Sequence, residues 1–165
     1  MERPSAVLIT GCSTGIGRAT ALAFVRAGFS TWASARRLEA LADLQTTGCR
    51  VIQLDVADKS SCAHAVQTIE AEHGAVGALI NNAGQTLVGP FEETSLESIR
   101  QLFEVNLFGL ARLCQLVLPG MRNQRRGTIG NLGSVAGLLT PPRGSAYSND
   151  QVRLGSVIGC NAFRS

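Results

Sequence analysis

Short apolar runs alternate with longer amphipathic stretches along this chain, and that alternation restricts the fold more than any other feature. Ala6-Val7-Leu8-Ile9-Thr10 is continuously apolar up to its last residue and is followed by Gly11, Gly15 and Gly17. A run of this kind reads as a strand buried on both faces. Ile16 to Ala27 carries apolar residues at helical spacing (Ile16, Ala19, Leu22, Ala23) and stops at Gly28, a C-terminal cap. The same alternation predicts strands over 30–34, 50–54 and 76–80. It predicts a short helix over 38–44 and a longer one capped by Asp58 and running to His73. Two helical stretches are expected between Thr94 and about Gln124, with Pro119 near their end. Thr128 to Leu132 reads as a weak fifth strand, interrupted by Gly130. Strand alternating with helix implies a parallel sheet whose right-handed crossovers place helices on both faces. The expected class is α/β with a doubly wound parallel sheet. In that class ligands sit at the carboxyl ends of the strands, near the switch in strand order.

Composition narrows the function classes. A chain of 165 residues, 45% of them hydrophobic, suits one globular domain with a sizeable core. Net charge is +3 with no run of Lys or Arg, so no nucleic-acid partner is expected. The five cysteines are odd in number and scattered, and there are only two histidines. A disulfide framework and a metal site are therefore both unexpected, and a reducing, cytoplasmic setting is favoured. The apolar run ending at Thr10 is too short for a membrane span and lacks a signal-peptide cleavage pattern. No membrane partner is expected, and the protein should be soluble.

The first strand-to-helix turn reads Thr10-Gly11-Cys12-Ser13-Thr14-Gly15-Ile16-Gly17. Glycines there let the backbone approach a pyrophosphate closely, and the next helix adds the positive end of its dipole. The spacing is G-x-x-x-G-x-G. A tight turn with no ligand would show the same glycines, and the position directly after the first strand favours binding.

The turn resembles the cofactor turn of the short-chain dehydrogenase/reductase family. Further motifs agree in order and separation: Leu54-Asp55-Val56 after strand three, Asn81-Asn82-Ala83-Gly84 after strand four, Val105-Asn106-Leu107-Phe108-Gly109, Gly133-Ser134-Val135-Ala136-Gly137, and Tyr147 after Ser145-Ala146. The resemblance covers residues 6 to about 148. It implies a dinucleotide-binding Rossmann domain over 1–148, truncated after about the fifth strand, followed by an irregular tail over 149–165. It also implies a nicotinamide dinucleotide cofactor. Gly11, Ser13, Thr14, Gly15, Ile16 and Gly17 would line its pyrophosphate and ribose. Asp55 and Val56 would touch the adenine. Asn82, Ala83 and Gly84 would flank the adenosine ribose and support strand four; a turn-stabilising role for Asn81-Asn82 is the plain alternative.

Charge argues the cofactor choice. An NAD-preferring enzyme places a carboxylate at the end of strand two. Here the strand ends Ala33-Ser34-Ala35-Arg36-Arg37. A 2′-phosphate suits a guanidinium fork. NADP(H) is therefore expected, with Arg36 the favoured contact and Arg37 beside it, and NAD(H) is the less favoured choice. Solvated loop charge is the alternative reading of both arginines.

The resemblance also implies acid–base catalysis by Tyr147 on an alcohol or ketone substrate, with Ser134 orienting the substrate oxygen and Asn106 holding a proton-relay water. The family uses a lysine four residues after the tyrosine to lower its pKa and hold the nicotinamide ribose. Position 151 is Gln151 here. A neutral amide cannot depress a phenol pKa by charge, so hydride transfer should fall steeply. A one-base shift of reading frame near codon 148 or 149 would allow Tyr-Ser-Met-Thr-Lys-Tyr, with a lysine at position 151, so residues 149–165 are expected to be out of frame. Three readings stand open. The first is a truncated NADP(H)-dependent oxidoreductase whose full-length parent would be a homo-oligomer. The second is a cofactor-binding module without catalysis. The third is an unstable fragment.

Overall fold

The computed structural model describes residues 6–134. Five strands form one parallel sheet: β1 (Val7–Ile9), β2 (Thr31–Ala35), β3 (Arg50–Gln53), β4 (Ala78–Asn81) and β5 (Thr128–Asn131). Their order is β3-β2-β1-β4-β5, so the chain direction across the sheet reverses between β1 and β4. That reversal is the switch point expected of a doubly wound sheet. The helices are α1 (Gly15–Arg26), α2 (Ala42–Thr46), α3 (Lys59–His73), α4 (Leu96–Phe103) and α5 (Gly109–Asn123).

The strand period of two sorts β1 into both cores. Val7 and Ile9 face the layer with Ala21 of α1 and Leu44 of α2. Leu8 faces the layer with Val66 and Ile69 of α3 and with Leu113, Val117 and Met121 of α5. All three β1 residues are fully buried, which is why this segment reads as a continuous apolar run. Asp58 caps α3 as expected, its Oδ1 accepting from the backbone N–H of Ser60 at 2.8 Å and of Ser61 at 3.3 Å.

Three local expectations are corrected. The single helix over 38–44 is a 3-10 turn, Leu38–Leu41, leading into α2; the Cys49 N–H returns to the Leu44 carbonyl and closes the segment. The fourth strand sits later, at Ala78–Asn81, because Gly77 and Ala78 both donate to the Ala6 carbonyl and set the register. Asn81 is thus a strand residue facing Asn131, not part of a turn. Gly130 does not interrupt β5. It pairs with Ile80, and a side chain there would stand 3.1 Å from the Ile80 Cδ1, so the neighbouring isoleucine fills the space. The two helical stretches expected between Thr94 and Gln124 are α4 and α5, and a π-turn at Glu104–Phe108 joins them into one run of 28 residues, Leu96–Asn123. That run is long and apolar enough to cross a membrane by length and composition. Within it, Leu102, Leu113, Val117 and Met121 are fully buried in the fold, whereas Leu96 and Phe108 are exposed.

Candidate functional site

The carboxyl ends of β1 and β4 meet at Thr10. Its Oγ1 accepts from the backbone N–H groups of Asn82 at 3.0 Å and Ala83 at 2.9 Å. One hydroxyl thereby fixes the start of the Asn82-Ala83-Gly84 loop against the glycine-rich turn. Asn82 answers from the other side, its Nδ2 donating to the carbonyls of Thr10 at 2.8 Å and Gly11 at 3.0 Å. The Asn82 side chain is therefore committed to holding the two loops together, and it does so as the turn-stabilising reading expects. Two glycines make this contact possible. Gly11 sits at φ +71°, and a Cβ there would stand 2.8 Å from the Ala83 Cα. A Cβ on Gly17 would run into the Asn82 amide and stand 2.6 Å from the Gly11 carbonyl oxygen.

The turn leads into α1, whose N-cap residue Thr14 makes no side-chain capping bond. The first N–H groups of a helix are available to an anion in such a case. Beside them opens a cleft of about 370 Å³. It is lined by Gly11, Ser13, Thr14, Gly15 and Ile16 of the turn, Ala35 and Arg36 at the end of β2, Asp55 and Val56 after β3, and Asn82, Ala83 and Gly84 after β4. Twelve expected positions or their neighbours thus converge from four strand ends on one wall-to-wall space. Gly17 and Arg37 do not line it: Gly17 packs beneath, and Arg37 is the residue preceding the 3-10 turn. Arg36 is held by its backbone carbonyl, which accepts from Gln53 Nε2 at 3.0 Å, and its side chain is exposed. Asp55 is held at both ends, its N–H donating to Ser61 Oγ and its Oδ1 accepting from the Ala57 N–H, each at 3.0 Å.

A second cleft of about 570 Å³ adjoins the first across Ile16 and residues 82–85, and reaches Asn106, Leu110, Leu132 and Gly133. Asn106 stands in the π-turn and is 4% exposed. Its Oδ1 accepts from the Gln85 N–H at 2.8 Å and its Nδ2 donates to the Gln85 carbonyl at 2.9 Å. A π-turn carries one residue more than an α-turn and reorients the side chain it contains. Here it turns Asn106 inward onto the loop after β4. Ser134 follows β5 by three residues and is half-buried. Tyr147 and Gln151 lie outside the described residues, as does the 149–165 tail.

Several contributors were not singled out from sequence. Gln85, Gln101 and Val105 line the first cleft. Thr10 is the hydrogen-bond node, and its place at the head of the glycine turn was the available signal. Asn131 accepts from Asn81 Nδ2 at 2.8 Å across β4 and β5, just under the second cleft. Cys12, inside the turn, is fully buried. Burial pushes its thiol up to about 11, and its Sγ is bonded to the Ile9 carbonyl at 3.2 Å.

A glycine-cradled, anion-ready cleft at the switch point of a doubly wound sheet defines a dinucleotide-binding class of α/β protein. Comparison with known proteins narrows this. The family model described as short chain dehydrogenase matches residues 5–149. The chain belongs to the short-chain dehydrogenase family. It is 34% identical over 147 residues to a 3-ketodihydrosphingosine reductase of Bacteroides thetaiotaomicron, covering 88% of this chain and 53% of that protein. It superposes on a short-chain dehydrogenase from Streptomyces avermitilis with a TM-score of 0.89 at 41% identity, covering 95% of this chain and 59% of that one. A serine dehydrogenase complexed with NADP+ gives a TM-score of 0.86 at 30% identity, covering 92% and 63%. The chain spans about half the length of the curated relatives it matches.

Proposed function

We propose that the chain is the cofactor-binding part of an NADP(H)-dependent oxidoreductase that interconverts an alcohol and a carbonyl compound. The observation that carries this reading is Arg36 on the wall of the first cleft, at the end of β2, where an NAD-preferring site would place an acid. A guanidinium there suits a 2′-phosphate dianion. The NADP+ held by the similar serine dehydrogenase supports the same choice. The residues present fit the cofactor: the turn packs at Gly11 and Gly17 directly against the loop after β4, Gly15 leaves its backbone open to the cleft, and the α1 N-cap residue makes no side-chain capping bond to the first N–H groups.

When bound, the nicotinamide dinucleotide supplies or accepts the hydride. The chain's own residues do the rest. The turn 11–17 holds the pyrophosphate by backbone N–H groups. Asp55 and Val56 flank the adenine, and Asn82 locks the two loops between which the cofactor lies. Tyr147 exchanges a proton with the substrate oxygen, Ser134 orients that oxygen, and Asn106 holds the relay water. Excluding water from the second cleft would strengthen each of these contacts.

Gln151 favours a second reading, an NADP(H)-binding module without turnover, because an amide cannot stabilise a phenolate by charge. One experiment separates the two. NADPH oxidation is measured for the chain and for its Gln151→Lys variant with a panel of ketones and aldehydes. The oxidoreductase reading expects Gln151→Lys to raise turnover by about 10²–10⁴-fold. NADPH binding with no turnover in either protein selects the binding module.

A further inference from the structure

We infer that Arg112, braced by Glu104, is a positioning residue for the adenine-side wall of the cofactor cleft, and that the pair ties this wall to the π-turn carrying Asn106. The inference rests on the cofactor-binding reading above. The Asp55-Val56 segment forms that wall. On one side α3 secures it, through Ser61 and through Cys62 Sγ, which lies 3.5 Å from the Val56 carbonyl oxygen. On the other side stands α5. Arg112 Nη1 donates to the Val56 carbonyl at 2.8 Å, and Nη2 of the same guanidinium donates to Glu104 Oε1 at 2.7 Å. The Arg112 side chain is 16% exposed, so this fork is largely withdrawn from solvent. Glu104 is the first residue of the π-turn, and Asn106 lies two residues on.

Gly109 shows how tightly the helix meets the wall. A Cβ at Gly109 would stand 2.6 Å from the Val56 carbonyl oxygen. Helix and loop are in backbone contact there, and the guanidinium supplies the hydrogen bonds at that contact. A planar fork serves a carbonyl and a carboxylate at once, with fixed geometry, which a single ammonium head does not reproduce. A pair that merely closed the α3–α5 packing would change stability and leave ligand affinity alone. A pair that sets the position of Val56 changes the fit of the adenine half of the cofactor.

The test uses the whole chain and its Arg112→Leu, Arg112→Lys and Glu104→Gln variants. Affinity for 2′,5′-ADP, the adenine-bearing half of NADP, is measured by calorimetry at a temperature where circular dichroism shows each protein folded. Arg112→Leu is expected to bind about tenfold more weakly, the size of effect typical of a residue that acts on a ligand through its neighbours, with Arg112→Lys between it and the parent. Affinity within twofold of the parent in folded Arg112→Leu overturns the inference while leaving the cofactor reading intact. A parent chain that binds neither 2′,5′-ADP nor NADPH overturns both. Should Arg112→Leu fail to fold, the parent chain decides alone by hydrogen exchange. Adding 2′,5′-ADP is expected to slow exchange in 54–57 and also in 104–112; slowing confined to 54–57 overturns the coupling.

Discussion

Thr10 carries more of the site than its size suggests. It is 1% exposed, and its hydroxyl is the acceptor for two backbone N–H groups of the facing loop. Thr10→Val keeps the shape and removes the acceptor, leaving two donors unsatisfied. The expected cost is about 2–3 kcal/mol, read as a fall in melting temperature of about 5–10 °C. NADPH binding should weaken with it, because the loop loses its anchor. Glu70 is the opposite case, a polar residue whose charge the fold opposes. Its Oε1 is buried without a hydrogen-bond partner, close to Gly120 of α5, and desolvation holds its carboxyl above the ordinary value of 4.5. A carboxyl raised by folding binds its proton more tightly folded than unfolded. Its penalty is therefore felt above the folded value and disappears as pH falls through that value toward the ordinary one. Glu70→Gln should raise the melting temperature at pH 7 by roughly 2 °C, and the gain should vanish below about pH 4.5. A gain independent of pH would mean that packing, not charge, is at stake.

At the scale of elements, the cofactor turn, the loop after β4 and α1 act as one unit held by Asn82 and two glycines. Gly17→Ala places a methyl group against the Asn82 amide and the Gly11 carbonyl oxygen. Overpacking of this kind costs about 1–3 kcal/mol. The stability loss should appear in urea denaturation, and NADPH affinity should drop by about tenfold or more. The elements themselves were unevenly legible in the sequence. Strands buried on both faces, such as Val7–Ile9, announce themselves as unbroken apolar runs. The α3 start was legible because Asp58 is a side-chain cap with its own chemistry. The π-turn was not. A single extra residue in a turn carries no residue-type signature of its own, yet it decides where Asn106 points. Gly130 misled because glycine weakens a strand on average, whereas here Ile80 occupies the space that a side chain would need.

At the scale of the whole molecule, alternation alone was sufficient to specify a parallel doubly wound sheet, since few other arrangements satisfy right-handed crossovers. The order β3-β2-β1-β4-β5 then puts the carboxyl ends of β1 and β4 side by side and creates the cleft. Much of the candidate site was legible for the same reason: the lining residues from Gly11 to Gly84 stand at or just past the carboxyl ends of strands, or in the first turn of α1, and the topology gathers them. What sequence did not reveal are the second contacts, such as Thr10 to Ala83, Asn106 to Gln85 and Arg112 to Val56. These depend on how elements distant in sequence approach one another, and no local pattern encodes that. The central proposal joins the scales: that Arg36, at the end of β2, selects NADP(H) over NAD(H). It is tested most directly by titrating the chain with NADPH and with NADH and measuring both dissociation constants. The account predicts NADPH binding at least about tenfold tighter than NADH, as one charge-assisted contact to the 2′-phosphate would give, with the preference lost in Arg36→Ala. Equal affinities, or tighter binding of NADH, would contradict it.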